Sequence, residues 1–140
     1  VLIVRDDFLV IDFEGEPGRP LADRRRKHSP LRDVAGMLRS FDYARAVALA
    51  RAVDRRPEAA ERLQSSLGHW LEETRASFMR GYRAGVGRAA CLPRAAAETA
   101  RLVEFFELEK ALYELRYELE NRPAWAGVPL AGILGILDRR

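Results

Sequence analysis

Phe8-Leu9-Val10-Ile11-Asp12-Phe13-Glu14-Gly15-Glu16-Pro17-Gly18-Arg19 is a run of apolar β-formers that ends in two acids and then in turn residues. A run of this kind, closed by Gly and Pro, reads as a strand delivered into a loop. A carboxylate placed beside a buried strand is costly unless something compensates its charge. A divalent cation does so economically: hard Mg²⁺ takes carboxylate oxygens and leaves positions open for phosphate oxygens. The plainer alternative is a strand whose end has reached water. Asp12 and Glu14 are therefore candidate metal ligands, and spacing alone does not separate the two readings.

Working outward to the N-terminus, a second apolar run, Val1–Val4, is separated from Phe8–Phe13 by Arg5-Asp6-Asp7. The pair reads as a β-hairpin, although its turn lacks the usual glycine. Both runs are continuously apolar, so both faces should be covered. The helices that follow are expected over one face, and chain upstream of Val1 over the other. Opening inside a strand, without methionine or cap, Val1 is expected to continue a longer polypeptide.

In the other direction, Gly15–Ser29 reads as a loop, with a short helical turn at Leu21–Arg25 and the basic tract Arg24-Arg25-Arg26-Lys27. That tract admits a solvated surface, contact with phosphates or neighbouring acids, or nucleic-acid binding. The last is the weakest, because no aromatic residues interleave the arginines. Ser29-Pro30 is a helix start, with serine at N-cap and proline at the first helical position. Leu31, Val34, Ala35, Leu38 and Phe41 recur at helical spacing to about Tyr43 and the pattern continues to Val53, with a bend expected at Ser40–Asp42. Asp33 lies in the first turn, where a carboxylate favours the helix dipole.

Pro57 opens a second long helix with the stripe Leu63, Leu67, Trp70, Leu71, Thr74 and Phe78, ending in the glycines of Gly81–Gly87. His69 lies beside that stripe without a paired ligand, and Cys91 reads as a small packing residue. Pro93 opens a third helix reaching about Asn121, with an expected core stripe of Leu102, Phe105, Phe106, Leu108, Leu112, Leu115 and Leu119. A second set, Lys110, Tyr113, Glu114 and Tyr117, shares another face at i, i+3, i+4 and i+7. Two phenols, a carboxylate and an ammonium suit a polyhydroxylated ligand. Periodicity by itself favours the simpler account, an amphipathic boundary with a Lys–Glu pair. A short apolar helix, Leu130–Leu137, is expected to seal the core.

Composition bounds the class. At 140 residues, 48% apolar and 32% charged, the chain suits one folded domain, mainly α with a short N-terminal β-hairpin. No apolar run is long enough to span a bilayer, and the opening residues do not read as a basic-then-apolar signal region. The single cysteine excludes an internal disulfide, so an intracellular, cytoplasmic protein is the default expectation. All but Lys27 and Lys110 of the 24 basic residues are arginine, a residue suited to carboxylate or phosphate recognition, but a GC-rich genome accounts for the excess more simply and no partner follows from it.

Three blocks carry a resemblance. Ile11-Asp12-Phe13-Glu14-Gly15-Glu16-Pro17, then Arg24-Arg25-Arg26 with Ser29-Pro30-Leu31-Arg32-Asp33-Val34-Ala35-Gly36-Met37-Leu38-Arg39-Ser40-Phe41-Asp42-Tyr43-Ala44, then Phe105 through Pro123 resemble the maltokinases. These bacterial sugar kinases are related in fold to aminoglycoside phosphotransferases and protein kinases, and are sometimes fused to trehalose synthase. The resemblance implies the C-terminal lobe of a protein-kinase-like fold over residues 1–140, a partial domain. It implies ATP-dependent phosphorylation of maltose to maltose 1-phosphate for α-glucan synthesis, with ATP and Mg²⁺.

In that frame Asp12 matches the metal-binding aspartate of the Asp-Phe-Gly type, with glutamate in place of the glycine, so Glu14 joins as a second candidate. Asp33 resembles a helix aspartate that braces the catalytic loop. Lys110, Tyr113, Glu114 and Tyr117 correspond to the maltose-binding helix. The His-Gly-Asp catalytic loop and the nucleotide-gripping lysine are absent, and the base is expected upstream of Val1. The 140 residues alone are thus expected to be inactive. The competing expectations are a kinase of another sugar or an aminoglycoside, and a non-catalytic helical domain binding a partner or nucleic acid through Arg24–Lys27.

Overall fold

A computed structural model describes residues 2–11, 18, 20–87 and 89–138 of the chain, the side chain of Ile3 excepted. Strands β1 (Leu2–Val4) and β2 (Asp7–Leu9) form an antiparallel hairpin in the register Leu2↔Leu9, Ile3↔Phe8 and Val4↔Asp7. Its two-residue turn is Arg5-Asp6, and Arg5 takes φ +56° where hairpins prefer glycine. The Asp7 carboxylate accepts from the Phe8 amide at 2.8 Å.

Five helices follow: α1 (Leu21–Arg24), α2 (Leu31–Arg55), α3 (Ala60–Val86), α4 (Ala96–Asn121) and α5 (Gly127–Leu137). Helix α2 is capped at Pro30, one residue later than expected, and the Ser29 hydroxyl accepts from the Leu31 amide at 3.3 Å. The α2 helix is continuous through Ser40–Asp42, where a bend was expected; the Ser40 hydroxyl instead donates to the Gly36 carbonyl at 3.0 Å. Both α2 and α4 stop at an Arg-Pro step. Arg56 and Arg122 share φ −145°, with ψ 74° and 66°, because a following proline disfavours the helical region. Each proline then opens a single 3₁₀ turn, Pro57–Ala59 and Pro123–Trp125. Helix α3 runs through Gly81 and Gly85 and ends at Gly87, whose φ of +55° suits a residue without Cβ.

The core sits where α2 meets α3 and α4. Leu31, Val34 and Leu38 of α2 and Val103 of α4 are buried together, with Phe41, Phe78, Met79, Tyr82, Leu92, Leu102 and Phe106 packed around them. Phe41 and Phe78 meet edge to face, 5.7 Å between centroids. Helix α5 closes over α4 and α2 with Pro129 and Ile136 buried, as its apolar sequence implies.

Four expectations need correction. Among the described residues neither strand lies against a helix, so the hairpin is not covered on the helical side. Phe8 is 61% exposed, and Leu2, Val4, Leu9, Val10 and Ile11 are exposed with it. Trp70, expected in the core stripe of α3, is exposed, and so is Cys91. The largest correction is on α4. The buried positions there are Thr99, Val103, Glu107, Ala111 and Glu118, whereas Phe105, Leu112 and Leu119 face outward. Arg75 of α3 and Tyr43 of α2 meet Glu107 and Glu118 of the first set and hold that face inward.

Candidate functional site

Arg39 continues the buried line Leu31–Ala35 along α2 at four-residue spacing, and it is itself 1% exposed. A guanidinium cannot be buried without acceptors, and two carboxylates supply them. Arg39 Nη1 donates to Asp42 Oδ2 at 2.7 Å and Nε donates to Glu114 Oε2 at 2.9 Å. Nη2 stands 2.8 Å from the same Glu114 oxygen without an aligned hydrogen bond, so that contact is Coulombic. Gly132 of α5 lies against the guanidinium, and a Cβ there would collide with it.

The network spreads from Arg39. Arg75 of α3 donates to Glu107 Oε1 at 2.5 Å and sits 3.6 Å from Asp42 Oδ2. Tyr43 donates to Glu118 Oε1 at 3.1 Å, and Arg122 grips the same carboxylate with two donors at 2.6 and 2.9 Å. Arg32 donates to Glu109 at 2.9 Å. Burial pushes the Glu114 carboxyl above the ordinary value of 4.5, while Arg39 and Lys110 pull the other way and Asp42 adds to the rise. The Tyr43 phenol is also raised, first by burial and then by Glu114 and Glu118.

The four residues of the candidate sugar face lie on the same two turns of α4. Lys110 Nζ is 5.2 Å from the Tyr113 ring centroid, and the Arg122 guanidinium is 5.6 Å from that of Tyr117 and 5.8 Å from that of Trp125. Each tyrosine therefore already carries a cation, and a sugar could stack only on what remains of its faces. Tyr117 is 45% exposed, whereas the Glu114 side chain keeps 12% of its surface. Both of the contacts to Arg39 fall on Glu114 Oε2. Gly18, six positions after Asp12 in the sequence, lies against Tyr113: a Cβ on it would be 3.3 Å from the phenol oxygen.

A glucosamine kinase from Streptacidiphilus jiangxiensis is 26% identical to this chain over 140 residues, covering 99% of the chain and 30% of the relative. It is a sugar kinase, distantly related. The chain thus spans less than a third of the length of that relative. No family model matches the chain.

Asp12 and Glu14 lie outside the described residues. Asp33 is exposed in the first turn of α2, and its charge contributes to raising the Tyr82 phenol, whose first cause is burial. Among the described residues no group of three or more His, Cys, Asp or Glu is placed to hold a metal ion. A surface hollow of about 360 Å³, lined by Arg101, Glu104, Phe105 and Leu108, includes none of the four sugar-face residues. No helix among the described residues is long and apolar enough to cross a membrane.

Sequence reasoning missed Arg39, Asp42, Arg75, Glu107, Glu118, Arg122 and Trp125. Two signals were available. Arg39 interrupts an apolar stripe, and Glu107, Glu114 and Glu118 fall in line with the small residues Thr99 and Ala111 at helical spacing.

Proposed function

We propose that this chain is the C-terminal lobe of a protein-kinase-like, ATP-dependent sugar kinase that phosphorylates maltose at its anomeric hydroxyl. The observation that carries the kinase class is the match to a sugar kinase along 99% of the chain. The sugar face is supported by Lys110, Tyr113, Glu114 and Tyr117 sharing two turns of α4 beside Gly18. In this reading Asp12, with Glu14, holds Mg²⁺, for which carboxylate oxygens are suitable donors. A bound ion would supply charge neutralisation at the ATP phosphates. Asp33 braces the catalytic loop, and the general base and the nucleotide-gripping lysine are supplied from outside these 140 residues.

The relative's name favours a second reading, glucosamine as the acceptor. Lys110 and Glu114 together present both signs of charge at that face, so the assay with each acceptor separates the two readings.

The test is a phosphotransfer assay on a polypeptide that includes this chain and the missing lobe, offering maltose, glucosamine and an aminoglycoside in turn. Maltose-dependent ADP release that falls by several orders of magnitude in Asp12→Asn is the expected result. A preference for glucosamine would replace maltose as the substrate and leave the kinase class intact. Unchanged kcat in Asp12→Asn would remove that residue from the reaction. Maltose-dependent ATP turnover by the 140 residues alone would refute the partial-lobe reading.

A further inference from the structure

Resting on the sugar-kinase reading above, we propose that Arg39 is a positioning residue for the sugar site: it fixes the Glu114 carboxylate through Oε2 and so reserves Oε1 to accept from a sugar hydroxyl. Arg39 touches no sugar-face residue other than Glu114 in the contacts described, and it is too deeply buried to meet a ligand directly.

Three observations carry the assignment. Both Arg39 contacts to Glu114 converge on Oε2, and no hydrogen bond or ion pair described above occupies Oε1. The guanidinium is held from three sides, by Asp42 along its own helix, by Glu114 from α4 and by the backbone of Gly132 from α5. A side chain held in this way loses little freedom when its partner binds a ligand, and a site of this kind needs that rigidity. Glu114 is also the only carboxylate of the four-residue face, so its protonation state decides whether the face accepts or donates at that point.

The ionisation of Glu114 follows from its surroundings. Arg39 and Asp42 of α2 and Lys110 of α4 act on it, the Tyr43 phenol of α2 is neutral where a carboxyl titrates, Arg75 of α3 lies 3.6 Å from Asp42, and α5 contributes the uncharged Gly132. Desolvation favours the neutral acid, and Arg39 is the strongest force keeping the carboxylate charged. A lysine at 39 keeps a positive charge but cannot reproduce the planar fork that reaches Asp42 and Glu114 together.

The experiment compares the wild-type protein with Arg39→Lys, Gly132→Ala and Glu114→Gln, each checked for fold by circular dichroism. Glu114 is followed by its side-chain carboxyl ¹³C shift, assigned with Glu114→Gln, and maltose affinity is measured by calorimetry between about pH 5 and 8. In Arg39→Lys the Glu114 titration should move to higher pH and maltose affinity should fall about tenfold, most at the acidic end. Gly132→Ala, which displaces the guanidinium without removing it, should move both in the same direction by less. Glu114→Gln should make maltose affinity independent of pH over that range. A folded Arg39→Lys protein with unchanged Glu114 titration and unchanged maltose affinity overturns the assignment. If no variant, nor the wild type, binds maltose while the Glu114 titration still follows residue 39, the sugar-site reading falls and the control of Glu114 by Arg39 stands.

Discussion

The inward face of α4 carries Thr99, Val103, Glu107, Ala111 and Glu118; its outward face carries Phe105, Leu112 and Leu119, the first of these 60% exposed. Transfer free energy alone would rotate the helix the other way, since each leucine or phenylalanine fully buried is worth about 1.5–3 kcal/mol. What holds the polar face inward is Arg39 and Tyr43 of α2 with Arg75 of α3. Once Arg39 is buried in the α2 stripe, it must meet carboxylates, and turning Glu114 to water would leave the guanidinium inside the protein with Asp42 as its one carboxylate partner among the described residues. The orientation of a helix is thus decided by the charge least able to reach solvent. Apolar area fills whatever directions are left.

The contrast between the two faces can be broken most directly at its centre. Arg39→Ala should cost about 3–5 kcal/mol in urea or thermal unfolding, because it strands Glu114 and Asp42. The double variant Arg39→Ala with Glu114→Ala should lose less than the sum of the two single changes. A cost of under about 1 kcal/mol for Arg39→Ala would show that the inward charges are solvated and that the contrast is superficial.

Gly132→Ala tests the same centre from α5. The guanidinium is held by two acids, so displacing it with the methyl group should cost about 1–3 kcal/mol as overpacking. Alanine is normally the better helix former at such a position, by about 1 kcal/mol, so a stabilised variant would mean that Arg39 moves freely.

Two titrations sharpen the picture. The folded protein holds the Glu114 proton more tightly than the unfolded chain does. Its contribution to stability is therefore fully present below 4.5 and is lost as pH rises through the folded value. Unfolding free energy measured across that window should have a falling component that disappears in Glu114→Gln. The raised phenol of Tyr43 acts likewise in the alkaline range, favouring the fold below its ordinary pKa of 10 and losing that effect as pH rises further. Tyr43→Phe should remove this component and cost about 1 kcal/mol for the lost bond to Glu118. A Tyr43→Phe protein with the same alkaline limb as the wild type would assign that limb to other groups.

The smallest effect is expected outside. Leu112→Ser should change unfolding free energy by no more than about 0.5 kcal/mol, because its side chain already meets water. A loss of about 2 kcal/mol or more would mean that this face is covered in solution.

Much of the framework was legible from local chemistry. Ser29-Pro30, the two Arg-Pro steps and the two apolar runs around Arg5-Asp6 each act within a few residues, so they mark the starts and ends of elements without knowledge of the rest. The orientation of α4 was not legible in that way. Its decisive pairs, Arg39 with Glu114 and Tyr43 with Glu118, are each 75 positions apart, and Arg75 with Glu107 are 32 apart. A hydrophobic count along one helix cannot see them. For the site, the spacing of Lys110, Tyr113, Glu114 and Tyr117 puts them on two successive turns of α4, but it does not tell that the two rings already lie beside cations or that Glu114 is anchored from behind. The metal-binding expectation for Asp12 and Glu14 lies outside the described residues.

Gly132 gives the Arg39 cluster a signature that inheritance should preserve. In any homologue that keeps arginine at 39, the position facing it on α5 has room for a hydrogen atom and nothing larger. Where a side chain appears at 132, the residue at 39 should have shortened or lost its charge, and the acid at 114 should have changed in step. A triplet varying together across α2, α4 and α5 would let the cluster be traced through divergent chains in which the surrounding leucines have drifted beyond recognition.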